Sequence, residues 1–284
     1  MTVYKNLSLG SERALYAIKN AEVENCSFAG AEEGESALKE CRNIKIKNSV
    51  FELRYPLWHL KGGLIENCKM TENCRAALWY DDGVEIKNSV LGGIKALRAC
   101  DNIKLSGCNI DSREFGWFCR GVEIKGGELV SEYPFLKCGN MRVEGLNMKA
   151  KYSFQYLENA VIEDSFLDTK DAFWHSRGVT VKNSVIKGEY LAWYSEGLKL
   201  INCKIIGTQP LCYAKGLVLE NCEMQDTDLS FEYSEVQAVI KGDILSIKNP
   251  AGGCIKADNI GKIILDENKF SGAACKIMCT ERAV

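Results

Sequence analysis

"VEIKNSVL", residues 84–91, and "VTVKNSVI", residues 179–186, are almost one octapeptide written twice. "LKLINCKI" (198–205) and "LVLENCEM" (217–224) are looser versions of it. Taking the asparagine of each as an anchor gives the series Asn25, Asn48, Asn67, Asn88, Asn183, Asn202 and Asn221. Gly107, Gly126, Gly145 and Asp164 fill the interval between Asn88 and Asn183 in equal steps. The earlier spacings are 23, 19 and 21, and from Asn88 onward the step is always 19. A fixed period of about 20 residues is the signature of stacked structural repeats.

Within each copy the residues four and two before the anchor are apolar, as in Val84 and Ile86 or Val179 and Val181, with a polar residue between them. That alternation predicts a strand with one buried face. Asn, Asp and Gly at the anchor suit a bend at positive φ, and stacked Asn side chains can share hydrogen bonds along a ladder. A unit this short cannot bury its own core, so the copies must stack. The expected fold is all-β: a single-stranded right-handed parallel β-helix, one rung per copy, with a third strand in the second half of each rung. A leucine-rich horseshoe is the rival, since "LKLINCKI" faintly matches its consensus, but its repeats of about 20–29 residues carry helix or loop on the convex side. One β-helix domain over 1–284 is expected, with regular rungs over about 15–242 and irregular rungs or a cap at 243–284. There "SIKNPAGGCIKADN" reads as turns before a last strand, "KIILDENKF".

No apolar run reaches the ~18 residues of a membrane span, and the start, "MTVYKNLSLGSERAL", lacks the pattern of a secretory signal. A cytoplasmic protein that does not enter membranes is expected. Net charge is −2, from 36 basic and 38 acidic residues, which gives no electrostatic footprint for nucleic acid. Fourteen cysteines without a secretory signal predict reduced thiols. Cys41, Cys100, Cys119 and Cys138 lie seven before their anchors, and Cys26, Cys68, Cys108, Cys203 and Cys222 one after, which reads as two interior columns. "CKIMC", at Cys275 and Cys279, is a weak metal motif with no His nearby, and neither a metal nor a cofactor is expected.

Nine positions before successive anchors stand Trp58, Trp79, Arg98, Trp117, Leu136, Gln155, Trp174, Trp193 and Cys212. One position later come His59, Tyr80, Ala99, Phe118, Lys137, Tyr156, His175, Tyr194 and Tyr213. Thirteen and twelve before the anchors stand charged and aromatic pairs, among them Arg113–Glu114, Glu132–Tyr133, Lys151–Tyr152, Lys170–Asp171 and Glu189–Tyr190. The column ten before the anchor is apolar (Leu57, Leu78, Leu97, Phe135, Phe154, Phe173, Leu211) and reads as inward, which turns the Trp column outward.

Three readings of this stripe stay open. It is a recognition surface for a glycan or a protein partner, through Trp58, Trp79, Arg98, Arg113, Trp117, Lys151, Tyr152, Trp174 and Trp193. Alternatively it holds an enzyme site for β-elimination or epimerisation of uronic acids. Lys170 would then be the base, its pKa depressed by Lys151, with Glu132 or Glu189 as acid and Asp171 and His175 as further candidates. Alternatively it is a purely structural aromatic and salt ladder. The adjacent Asp81 and Asp82 next to Gly83 read as a surface loop rather than a catalytic pair.

With "YPLWH", "FGWF", "SEYPF", "KYSFQY", "KDAFWH", "GEYLAWYS", "GTQPLCY" and "LSFEYS" set out rung by rung, the whole chain resembles the uncharacterised domain-of-unknown-function family 3737, of the pectin-lyase-like superfamily. The resemblance implies a right-handed β-helix and sugar-acid polymers as a frequent ligand class. It carries over no catalytic residue.

Overall fold

The computed structural model describes residues 1–30, 35–266 and 275–280. The chain forms two compact units, residues 1–147 and 148–284. Each is a parallel β-solenoid, with strands pairing in register to the rung before and the rung after. In the first unit Glu85, Ile86 and Lys87 pair with Lys104, Leu105 and Ser106, which pair in turn with Glu123, Ile124 and Lys125. In the second, Thr180, Val181 and Lys182 pair with Lys199, Leu200 and Ile201. A short strand follows each anchor: Val90–Gly92 pairs with Asn109–Asp111, and Val185–Lys187 with Lys204–Ile206.

The bends between these strands sit where the anchors predict. All eleven anchors have positive φ, between 47° and 68°. A second column of the same kind lies five positions earlier, at Asn20, Asn43, Gly62, Gly83, Asn102, Gly121, Asn140, Asn159, Gly178, Gly197 and Gly216. The ladder exists: the Asn202 amide donates to Asn183 Oδ1 (3.1 Å) and the Asn221 amide to Asn202 Oδ1 (2.6 Å). Strands at Thr2–Lys5 and Ser8–Leu9 flank a further bend at Asn6.

The column after the anchor is interior, as its spacing predicts, and its side chains also serve the backbone. Ser49 and Ser89 turn their hydroxyls inward, accept the backbone N–H of the residue one rung below (Cys26 and Cys68, 3.1 Å each), and donate to a carbonyl of their own rung. Cys203 and Cys222 keep the second half of this pattern, their thiols donating to carbonyls at 3.3–3.5 Å. Ser and Cys share this position because either can serve a buried backbone group at a corner where the strand ladder is interrupted.

Three expectations are corrected. The second half of the rung is not a strand. In most rungs it is a run of turns with positive φ at every other residue, as at Asp171, Phe173 and His175 or Tyr190, Ala192 and Tyr194. Among the described residues only Leu78–Trp79 and Leu97–Arg98 pair as strands there, with an isolated bridge from Arg98 to Trp117. The stretch 246–259 is not a set of turns: strands Glu235–Lys248 and Gly252–Ile264 run through it and pair in parallel. The expected strand "KIILDENKF" reaches only Ile264 as strand, and its residues 267–270 lie outside the described residues. Finally, Asp81 is not on a surface loop. It is buried in the column of Cys100, Cys119 and Cys138.

That column has a common task. The backbone N–H of Leu60 donates to Asp81 Oδ1 (2.8 Å), that of Asp81 to Cys100 Sγ (3.4 Å), and that of Cys100 to Cys119 Sγ (3.4 Å). Each side chain accepts from the rung below. Asp81 does so with one oxygen, while Oδ2 is buried without a partner. Burial, and then the neighbouring Cys100, push its carboxyl well above the usual range.

The core is built of stacked identical side chains, such as Phe28 on Phe51 (4.7 Å, 2° between planes) and Phe154 on Phe173 (5.0 Å, 5°). Eleven of the fourteen cysteines are buried, and all are free thiols. Among the described residues no helix is long and apolar enough to cross a membrane, and no cluster of three or more His, Cys, Asp or Glu side chains could hold a metal.

Candidate functional site

The alternating turn geometry sets how the stripe is presented. The residue ten before the anchor points inward and is fully buried, as in Leu57, Phe135, Phe154, Phe173 and Leu211. The indole column that follows lies half-buried against the rung, and the ring column after it is exposed at Tyr80, Phe118, Tyr156, His175 and Tyr194 and half-buried at His59 and Tyr213.

The indoles are pinned. Trp58 Nε1 donates to the carbonyl of Ala76 (2.7 Å), Trp174 Nε1 to that of Tyr190 (2.7 Å), and Trp193 Nε1 to that of Gln209 (3.0 Å). Trp117 makes the same bond to Tyr133. Gln155, which occupies this column in its own rung, directs its amide to the carbonyl of Asp171 at 3.5 Å. These acceptors lie one rung on, in the turn run. Trp79 is the exception: its N–H is buried without an acceptor, in the rung whose neighbour replaces the turn run with the short strand Leu97–Arg98.

The indole faces are largely covered. Trp174 and Trp193 stack at 5.4 Å with 3° between planes. Trp58 meets Trp79 edge-on at 5.0 Å. The Arg98 guanidinium lies 5.3 Å from the ring of Trp79 and 4.9 Å from that of Trp117. An arginine in a column of tryptophans is therefore no anomaly, since its plane stacks as a ring would. It also approaches Glu114 at 3.5 Å.

The charged column forms rung-to-rung pairs: Arg113 with Glu132 (2.7 Å) in the first unit, Lys170 with Glu189 (3.2 Å) in the second. Lys151 is exposed and Tyr152 half-buried. The expectation that Lys170 has a depressed pKa is overturned. Its pKa is raised, chiefly by the hydrogen bond from its ammonium to Glu189, so Lys170 is protonated near neutrality and unsuited to act as a base. Asp171 is buried, and its carboxyl is raised by desolvation, against the lowering effect of Lys170.

His175 stacks between Tyr156 (4.9 Å, 11°) and Tyr194 (5.1 Å, 9°), and Tyr194 continues onto Tyr213 (4.9 Å, 18°). In the first unit His59 stacks on Tyr80 at 5.1 Å. In such a stack each face meets a neighbouring ring, so what solvent meets is a row of edges, hydroxyls and imidazole nitrogens.

Sequence reasoning missed a concavity in the first unit beside the turn Glu72–Cys74. Its signal was available: the step from Asn67 to Asn88 is two longer than the one that holds from there on, and Gly92 and Gly93 follow.

No curated protein matches the chain. Solved structures that it resembles include HetL, a pentapeptide repeat protein of the cyanobacterium Nostoc. It is 13% identical, with 81% of this chain and 90% of that one covered and a TM-score of 0.35. PfbA, a surface adhesin of Streptococcus pneumoniae, is 12% identical with 85% and 77% covered and a TM-score of 0.39. The A-module of the mannuronan C-5 epimerase AlgE6 of Azotobacter vinelandii is 9% identical with 93% and 88% covered and a TM-score of 0.41. The family described as protein of unknown function (DUF3737) matches residues 2–278, and the chain belongs to it.

Proposed function

We propose that the ring column of residues 148–284 is a recognition surface for an extended glycan, held by hydrogen bonds from ring edges. The observation that carries this reading is the even row Tyr156, His175, Tyr194 and Tyr213, with rings 4.9, 5.1 and 4.9 Å apart. Nothing in the core requires an aromatic there. All four residues have positive φ, between 54° and 60°, which costs a non-glycine residue roughly 1–2 kcal/mol. Ala17, Ala99 and Lys137 adopt the same conformation at the matching position of the first unit, so the turn itself tolerates other residues.

A polymer read by this row must advance one unit per rung. An extended peptide advances about 3.3 Å per residue and a polyproline helix about 3.1 Å, so neither keeps step. A β-linked pyranose chain does, one sugar per rung. Two positions further on each rung stand the exposed Glu158, Arg177, Glu196 and Lys215; Arg177 pairs with Glu196 (3.4 Å), so Lys215 is the cation offered to an acidic sugar. Trp193 meets the ring of Tyr213 edge-on at 5.4 Å. The reading contains no catalytic step, and it goes with a cytoplasmic protein whose thiols stay reduced.

The test is Tyr194→Asn, screened with the parent protein against an array of neutral and uronic-acid glycans. Asn accepts positive φ readily, so the denaturation midpoint should hold or rise while glycan retention drops at least about tenfold. A midpoint that falls, with no glycan retained by the parent protein, would make the row a structural stack.

A further inference from the structure

The rung of the first unit between Asn67 and Asn88, two residues longer than the prevailing period, also carries a concavity. The two surplus residues between Asn67 and Asn88 are taken up by the 3-10 turn Glu72–Cys74, and Arg75 closes it at φ 58°, ψ −67°. The N–H of Ala76 reaches the carbonyl of Cys74 across Arg75 (2.7 Å). This is the rarer, strained form of γ-turn, and such strain tends to be kept where a site needs it.

One rung on, Gly92 removes the outward side chain that Thr71 and Asp111 supply in the rungs on either side. A Cβ on Gly92 would stand 2.8 Å from the carbonyl oxygen of Met70. A Cβ on Gly93, at φ 100°, would stand 2.9 Å from the backbone nitrogen of Arg75. The result is a concavity of about 500 Å³ floored by Gly92, within the size range of small-ligand sites.

Two cations and two anions line it. Lys69 and Glu72 come from the rung below, Arg113 and Asp111 from the rung above, so that each rung brings one cation and one anion to the lining. Lys69, Glu72 and Asp111 make no ion pair among the described residues, whereas Arg113 holds Glu132. Val90 and Ile94 provide an exposed apolar wall.

From this arrangement we infer that the concavity binds a small zwitterion with an apolar tail, of the chemical class of a free aliphatic α-amino acid. The carboxylate would meet Lys69 and Arg113, the ammonium Glu72 and Asp111, and the tail Val90 and Ile94. A singly charged ligand would find partners in only one pair of these side chains and like charge in the other pair, which costs affinity. This site is separate from the ring column and does not depend on it.

Isothermal titration of the full chain with L-leucine, 4-methylpentanoate and isoamylamine tests the inference. L-leucine should bind in the micromolar to millimolar range, and the two analogues, each lacking one charge, at least about tenfold more weakly. Lys69→Gln and Asp111→Asn should each weaken L-leucine by about tenfold, ~1.4 kcal/mol. Both residues are exposed, and exposed substitutions usually leave stability within about 0.5 kcal/mol, so the denaturation midpoint should not move. No heat with L-leucine, equal binding of either analogue, or unchanged binding by both variants would overturn it.

Discussion

The indole N–H of Trp174 donates to the carbonyl oxygen of Tyr190, 2.7 Å away and one rung on, while its ring lies flat on that of Trp193. One side chain thus closes the turn of the next rung and covers its neighbour's face. The indole column is in this respect part of the fold, whatever the adjoining rings contact.

Trp174→Ala should therefore lower stability by about 2–4 kcal/mol, through the lost packing and a carbonyl left without its donor. Trp174→Phe keeps most of the stack and should cost less, about 1–2 kcal/mol. Chemical denaturation with both variants measures this. No shift in midpoint for the alanine variant would mean that the indole contributes nothing to the solenoid.

Asp81 predicts a pH dependence with a definite sign. In the unfolded chain its carboxyl titrates near pH 4, whereas in the folded protein burial holds the proton to much higher pH. The folded state binds more protons over that interval, so this contribution to stability is greatest below about pH 4 and falls as pH rises. Asp81→Asn keeps an oxygen for the Leu60 N–H and cannot ionise. Its midpoint should exceed the parent's at pH 7, with the difference widening as pH rises above about 4. Parallel stability curves for the two proteins would refute it.

The Asn ladder separates backbone from side-chain effects. Asn202→Ala loses bonds to Asn183 and Asn221 and places Ala at φ 52°, for an expected cost of about 1–3 kcal/mol. Asn202→Gly restores the backbone freedom and should recover part of that loss. If glycine is as damaging as alanine, the side-chain ladder carries the whole effect.

Thiol reactivity should follow burial. Cys279 is exposed and Cys254 and Cys275 partly so, and these should react with a maleimide first. Burial pushes Cys74 up to about 12 and Cys41 and Cys68 to about 11, so they are protonated and poorly nucleophilic as well as shielded. Mass spectrometry of the native protein should find the eleven buried thiols unlabelled, and unfolding without reductant should release all fourteen. Early labelling of Cys100 or Cys119 would contradict the interior column.

Much of this architecture is readable along the chain. The step from Asn88 to Asn183 and onward fixes the rung length, and the alternation of Val84 and Ile86 or Val179 and Val181 fixes the buried face, because a single rung has no core until its copies stack. The bends at the anchors follow from residue types that accept positive φ, and the column of Asn20, Asn43, Asn102, Asn140 and Asn159 was legible on the same grounds. The turns in the other half of the rung were not. Phe173, His175 and Tyr194 have positive φ although their side chains favour strands, since the conformation there is imposed by bonds between rungs.

What only the tertiary structure decided are the relationships that cross from one rung to the next. The acceptor for Trp174 is Tyr190, the donor to Asp81 is Leu60, and the partner that raises the pKa of Lys170 is Glu189, each of them one rung away. In a solenoid each side chain meets its own column rather than its sequence neighbours. A carboxylate beside a glycine thus becomes an interior group, and a lysine beside an aspartate is governed by the rung above.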